Sequence, residues 1–295
     1  MKIGFIGLGI MGKPMSKNLL KAGHEVVCFD LYKPSVDEVA AAGAKGAASV
    51  ADVARECSFI ITMLPNSPHV HQVALGQGGI TDNAKRGTLL VDMSSIAPLT
   101  AREVHDGLQA NGIRMLDAPV SGGEPKAVDG TLSVMIGGAQ KDFDEAKPVL
   151  EAMAASVVRV GEIGAGSTAK LANQIVVAIN IAGLAEAMAL STKAGVDPEL
   201  VFQAIRGGLA GSTVMEAKAP MMLARNINPG FKIDLHIKDL GNILETGHAV
   251  HVPLPLSAAV MEMMQALKAD DMGGADHSAL IRHYEKIANV EVKRG

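Results

Sequence analysis

The sequence predicts an α/β sheet domain followed by an all-α domain, on two observations. Short β-rich runs (KIGFIG, EVVCFD, SFIITMLP, TLLVDMS, RMLDAPVS, TLSVMIGG and SVVRVG) alternate with amphipathic stretches up to about Gly161, and after Gly164-Ala165-Gly166 no such run recurs. Strands this short and apolar, separated by helix-length segments, imply a mainly parallel sheet covered on both faces. Helices are expected over residues 11–22, 98–110 and 141–153, and then over a long stretch from 167 to 194 that stops at Gly195 with Pro198 beyond. The glycine-rich turn near Ile163 sets the expected boundary, giving domains at 1–162 and 163–295.

Composition narrows the function classes. Hydrophobic residues make up 48% of the 295 and charged ones 20%, with no Trp, which disfavours disorder and collagen-like or disulfide scaffolds. Lys and Arg number 27 against 31 Asp and Glu, a net charge of -4 without a basic stripe, so nucleic acid is not an expected partner. The two cysteines, Cys28 and Cys57, lie in apolar runs outside any CxxC, as in a reducing compartment. The apolar N-terminus carries three glycines and runs into Lys13, Lys17 and Lys21, unlike an export signal, so a cytoplasmic location is expected. The most apolar later stretch, 175–185, is short of the roughly 20 residues that a bilayer requires, and no membrane segment is expected. His69/His71 and His248/His251 lack a third ligand and no HExxH occurs, so no metal is expected.

The first β-rich run delivers Gly7-Leu8-Gly9-Ile10-Met11-Gly12, a G-x-G-x-x-G, directly into helix formers. Such a loop binds a dinucleotide: the first glycine permits the turn, the second admits the pyrophosphate against the backbone, and the third packs helix on strand. The next run ends in Asp30, 30 − 12 = 18 residues beyond the last glycine and close to the ~20 of the dinucleotide pattern. Its carboxylate there accepts from the adenosine ribose hydroxyls and repels a 2′-phosphate, favouring NAD over NADP, with Lys33 softening the repulsion. A Rossmann-type domain with Gly7, Gly9, Ile10, Met11, Gly12 and Asp30 at the cofactor is the expectation. Leu64, Pro65 and Ser95 follow later strands, where ligands of open α/β sheets bind, although ordinary strand-to-loop transitions would look the same.

Two more segments offer chemistry. Ser121-Gly122-Gly123, within DAPVSGGEP, combines a hydroxyl with glycines whose N–H groups a carboxylate can approach; a plain glycine turn fits the pattern equally well. On the long helix, Lys170 and Asn173 are three apart and share a face. A lysine in an apolar helix is by itself more often a snorkelling side chain than a catalytic one.

Together GFIGLGIMG, DAPVSGGEP, GAGSTAKLAN and HIKDL, in that order along nearly the whole chain, resemble the β-hydroxyacid dehydrogenase family. The resemblance implies a nicotinamide cofactor domain, a helical domain that builds a dimeric or tetrameric interface, and catalysis by Lys170. It further implies substrate carboxylate binding at Ser121, Gly122 and Gly123, an assisting Asn173, and Lys238 near substrate and nicotinamide. NADP-preferring members carry Asn-Arg where this chain has Asp30-Leu31, and imine-reducing relatives replace the lysine; neither departure occurs here. The implied reaction is NAD(P)H-dependent reduction of a small semialdehyde, 2-hydroxy-3-oxopropanoate first and a 3-hydroxyisobutyrate-type acid as the alternative. Small polar residues at Gly211, Ser212 and Thr213 favour the hydroxylated substrate unless they cap a helix. A nucleotide sensor without turnover and a Schiff-base enzyme using Lys170 as nucleophile are the competing classes; NADH turnover and borohydride trapping distinguish them.

Overall fold

The computed structural model describes residues 1–294 and packs as two compact units, Met1–Lys170 and the chain from Leu171 onward. In the first, strands β1 (Lys2–Ile6), β2 (Glu25–Phe29), β3 (Lys45–Gly46), β4 (Phe59–Thr62), β5 (Leu89–Asp92), β6 (Arg114–Asp117), β7 (Val120–Ser121), β8 (Leu132–Gly137) and β9 (Ala154–Gly161) form one sheet. Its order is β3-β2-β1-β4-β5-β6-β8-β7, with β9 also on β8. The β3-to-β6 part is parallel throughout, the strand order of a dinucleotide-binding fold. RMLDAPVS, a single run in the sequence, divides at Ala118-Pro119 into β6 and β7, and both pair antiparallel with β8.

Apolar residues on both phases of each strand explain why the sheet is covered twice. Ile3, Phe5, Phe59, Ile61, Leu89, Val91 and Leu116 enter one core, while Ile6, Ile60, Leu90 and Met115 enter the other. Successive side chains of a strand point to opposite faces, so a continuous apolar run supplies both. The covering helices are α1 (Gly12–Lys21), α2 (Lys33–Ala41), α3 (Val50–Glu56), α4 (Ser67–Leu75), α5 (Ile80–Asn83), α6 (Pro98–Ala110), α7 (Gly123–Asp129) and α8 (Gln140–Leu150). The helices expected at 98–110 and 11–22 appear with no change and with one residue lost at each end; that expected at 141–153 ends three residues early, where Ala152 and Met153 close a turn onto Val149 and Leu150.

Helix α9 (Ala165–Lys193) runs through the division at Lys170/Leu171. The second unit continues with α10 (Pro198–Ile205), α11 (Thr213–Leu223), α12 (Ile233–Ala249), α13 (Pro255–Ala269), a 3-10 turn (His277–Leu280) and α14 (Ile281–Ala288). Among the described residues its only β pairing is the bridge Lys232–Asp276. By length and composition α9 is able to cross a membrane. Its Ala178, Ile181, Ala185, Met188 and Ala189 belong to the second unit's core, with Phe202, Met222, Ile243 and Met264.

Candidate active site

The glycine loop between β1 and α1 is built by close approach. Gly7 has φ +99°, and a Cβ on it would lie 2.3 Å from the Met63 carbonyl oxygen; one on Gly12 would lie 1.9 Å from the Gly7 oxygen. Only glycine fits at either position. A Cβ on Gly9 would meet nothing within 4 Å, so this residue faces open space at the start of α1, the surface that a pyrophosphate needs. These residues fit a dinucleotide. Asp30 closes the loop from β2: its Oδ2 accepts from the Leu8 N–H at 2.6 Å and its Oδ1 from the Tyr32 N–H at 2.7 Å. Each oxygen keeps a second lone pair, so the carboxylate orders the loop and can still accept from a ribose hydroxyl.

The ends of β4 and β5 are stitched to each other. The Leu64 N–H donates to Ser94 Oγ (2.8 Å), and the Ser94 hydroxyl donates in turn to Asp92 Oδ1 (2.6 Å), which also accepts from Thr62 Oγ1 (2.8 Å). Asp92 is fully buried and its Oδ2 has no hydrogen-bond partner. Burial pushes its pKa up to about 6 against the opposing Ser94 and Thr62 bonds, and the neighbouring Asp117 charge adds to the rise. This network fixes Leu64 and places Pro65 and Ser95 just beyond it, bringing Leu64 within reach of the glycine loop, where its Cδ2 lies 3.0 Å from a Cβ built on Gly7. Ser94 lies at the strand end expected to face the crevice, whereas Asp92 was not expected at the site; its signal was an acid ending an otherwise apolar strand.

Ser121 ends β7, Gly122 has φ +137° and Gly123 φ +69°, and α7 begins at once. A Cβ on Gly122 would come within 2.7 Å of the Lys126 side chain, so the turn requires glycine there. Backbone N–H groups at a helix start after a left-handed turn form a concavity suited to an anion. Lys170, in the same unit, is 7% exposed, one turn into α9. A charged side chain this buried is not the surface snorkelling lysine that its setting alone would suggest.

Asn173 and Lys238 belong to the second unit, where a polar chain joins them: Asn173 Nδ2 donates to Gln174 Oε1 (2.8 Å), Gln174 Nε2 to Asp239 Oδ2 (2.6 Å), and Lys238 Nζ lies 3.0 Å from Asp239 Oδ1. Gln174 was missed because an amide among Ala and Val carries no motif. Ser212 caps α11 by accepting from the Met215 N–H (3.0 Å), so the small polar residues at 211–213 are explained by capping. They carry no argument about substrate. Cys28 and Cys57 are buried thiols, each pushed up to about 11 by burial, and are inert at neutral pH. Among the described residues no three His, Cys, Asp or Glu side chains gather as a metal site.

A Rossmann-type sheet with a glycine loop shaped for pyrophosphate defines a dinucleotide-binding protein. Comparison with known proteins agrees: residues 2–161 match the NAD binding domain of 6-phosphogluconate dehydrogenase, and residues 164–284 match the NAD-binding domain of NADP-dependent 3-hydroxyisobutyrate dehydrogenase. The chain is 42% identical to 2-hydroxy-3-oxopropionate reductase of Escherichia coli, over 98% of this chain and 99% of that one. It is 40% identical to 2-(hydroxymethyl)glutarate dehydrogenase of Eubacterium barkeri, over 100% and 98%. Among solved structures, 3-hydroxyisobutyrate dehydrogenase of Mycobacterium tuberculosis with L-serine superposes with a TM-score of 0.89 at 34% identity, covering 95% of this chain and 98% of that one. The chain belongs to the β-hydroxyacid dehydrogenase family.

Proposed function

We propose that the protein reduces 2-hydroxy-3-oxopropanoate (tartronate semialdehyde) to glycerate with NADH, reversibly, using Lys170 as general acid and base. The observation that carries the proton-transfer assignment is a lysine buried to 7% exposure in the unit that also holds the glycine loop and the Ser121-Gly122-Gly123 turn. The substrate is supported by the 42% identity to the reductase of that compound.

NADH, when bound, supplies a hydride to the aldehyde carbon. Ser121, Gly122 and Gly123 hold the substrate carboxylate, which fixes the carbonyl for attack. The Lys170 ammonium stabilises the charge developing on the carbonyl oxygen and then gives it a proton; in oxidation the neutral amine takes that proton back. Asn173, three residues along α9, assists on the same face of the helix, and Lys238 contributes from α12. Asp30 makes NADH the preferred cofactor, with NADPH accepted less well. The remaining parts of the reading are a cytoplasmic homo-oligomer acting on a small molecule, with Val176 and Leu190 of α9 offering exposed apolar surface for association. Oxidation of 3-hydroxyisobutyrate is the second reading, favoured by the TM-score of 0.89 to such an enzyme.

A panel of three- and four-carbon semialdehydes and hydroxyacids, assayed with each cofactor, tests the substrate. The highest kcat/KM is expected with 2-hydroxy-3-oxopropanoate and NADH; a maximum with the branched acid would transfer the assignment to the second reading. Lys170→Ala is expected to bind NADH normally and lose about 10² to 10⁴ in rate, the worth of one positioned acid. A variant within about threefold of wild type removes the lysine from the mechanism.

A further inference from the structure

Resting on the assignment of Lys170 as proton donor, we propose that Asp117 is a positioning residue that clamps the start of the Lys170 helix onto the strand leading to the carboxylate-binding turn. Asp117 is the last residue of β6 and fully buried. Its Oδ1 accepts from the Gly164 N–H at 2.7 Å and its Oδ2 from the Ser167 N–H at 2.6 Å. Both donors lie at the first turn of α9, where backbone N–H groups have no partner within the helix. Lys170 follows Ser167 by three residues on that helix, and Ser121 follows Asp117 by four along the other direction of the clamp. One carboxylate therefore joins the support of the proton donor to the support of the substrate's carboxylate.

The clamp leaves little play. A Cβ on Gly137 would lie 2.3 Å from Asp117 Oδ1 and 2.8 Å from the Gly166 nitrogen; one on Gly166 would lie 2.5 Å from both the Asp117 and Met135 carbonyl oxygens. The first turn of α9 thus sits backbone to backbone on the ends of β6 and β8, and glycine at both positions permits it. Below it, Asp117 pairs in register with Asp92, and the Ala118 N–H donates to the Asp92 carbonyl at 2.7 Å. A buried acid whose two oxygens each receive a short backbone N–H bond is fixed in direction as well as in distance. A helix seated this way cannot slide along its axis without breaking both bonds, so the axial position of Lys170 is set by Asp117.

A double-mutant cycle on the full-length enzyme tests this, with kcat at saturating NADH and semialdehyde as the readout and the NADH dissociation constant as the control. Asn at position 117 keeps the size but points an amide N–H at one of the two donors. Asp117→Asn is expected to lower kcat by about tenfold to a hundredfold, the loss that misplacement by about 1 Å brings, and to leave NADH affinity within about twofold. Introduced into Lys170→Ala, the same change is expected to cost nothing further, since it acts through a side chain already removed. Should Asp117→Asn fail to fold, Asp117→Ser, with one hydroxyl acceptor, takes its place in the cycle. Losses that multiply, or an Asp117 variant with wild-type kcat, overturn the positioning role while leaving Lys170 as donor. A near-wild-type Lys170→Ala overturns both, and that result differs from either of the others.

Discussion

Asp92 and Asp30 show how differently two strand-end carboxylates behave. Asp92 is fully buried with its pKa pushed up to about 6 by burial. A folded-state pKa above the unfolded value near 4 means the neutral form is favoured in the fold, so the protein is most stable with respect to this group below about pH 4 and loses stability as pH rises through about 6. The full loss is about 3 kcal/mol, by 1.36 kcal/mol per unit. Asp92→Asn removes that titration, so the difference in unfolding free energy between variant and wild type should move in the variant's favour between about pH 4 and about pH 7. Denaturant unfolding at both pH values measures it, and a difference independent of pH contradicts the assignment. Asp30, half-buried and bonded to the Leu8 and Tyr32 N–H groups, stays available to the cofactor. Asp30→Asn should raise the NADPH-to-NADH efficiency ratio at least about fivefold, the worth of one charge pair at about 4 Å in water. Wild-type enzyme that already prefers NADPH strongly would refute this role.

At the level of elements, the sequence was most legible where the period and the punctuation agreed. The loop Gly7 to Gly12, preceded by a β-rich run and followed by helix formers, lies where expected because three glycines and the change of period point to the same turn. RMLDAPVS read as one strand because its apolar content is continuous; the break at Ala118-Pro119 appears only through pairing with β8, a long-range partner that local pattern cannot reveal. The helix of Lys170 begins at Ala165, two residues earlier than expected, because Asp117, distant in sequence, receives the N–H groups of its start. Side-chain networks such as Gln174 to Asp239 are invisible to spacing for the same reason. On the proposed assignment, the turn into α7 holds the substrate and not the cofactor. Ser121→Ala should lower kcat/KM about tenfold to a hundredfold, since a hydrogen bond to a charged group is worth about 1.5 to 3 kcal/mol. Gly122→Ala should be worse, because φ +137° and the Lys126 side chain at 2.7 Å exclude a Cβ. Both should leave NADH affinity unchanged; a parallel fall would assign the turn to the cofactor.

On the scale of the whole molecule, the chain has separate cores in its two units, and the two units are expected to open independently. The first rests on the sheet, with Phe5, Phe59 and Val91 on one face and Ile60 and Leu90 on the other; the second rests on α9 from Ala178 to Ala189 with α10 to α14 around it. Sub-global opening follows such divisions, and a ligand stabilises only the units whose folded form it needs. The phosphate-holding loop, Asp30 and Leu64 all belong to the first unit. The proposed role of Lys238, in the second unit, is a separate contribution. Hydrogen exchange weighs the two contributions. At NADH about a hundredfold above its dissociation constant, the opening of a unit that must be folded to bind costs about 2.7 kcal/mol more, so its slowest amides should exchange about a hundredfold more slowly. The larger slowing is expected in β1, β4 and β5, with the Leu8 and Tyr32 amides, already bonded to Asp30, protected further. Amides between Ala178 and Ala189 should slow less, because their unit offers no glycine loop for the phosphates. Equal slowing in both units would mean that they open together, and greater slowing in the second would move the main cofactor contacts there and remove the basis for reading Asp30 as the discriminator between NADH and NADPH.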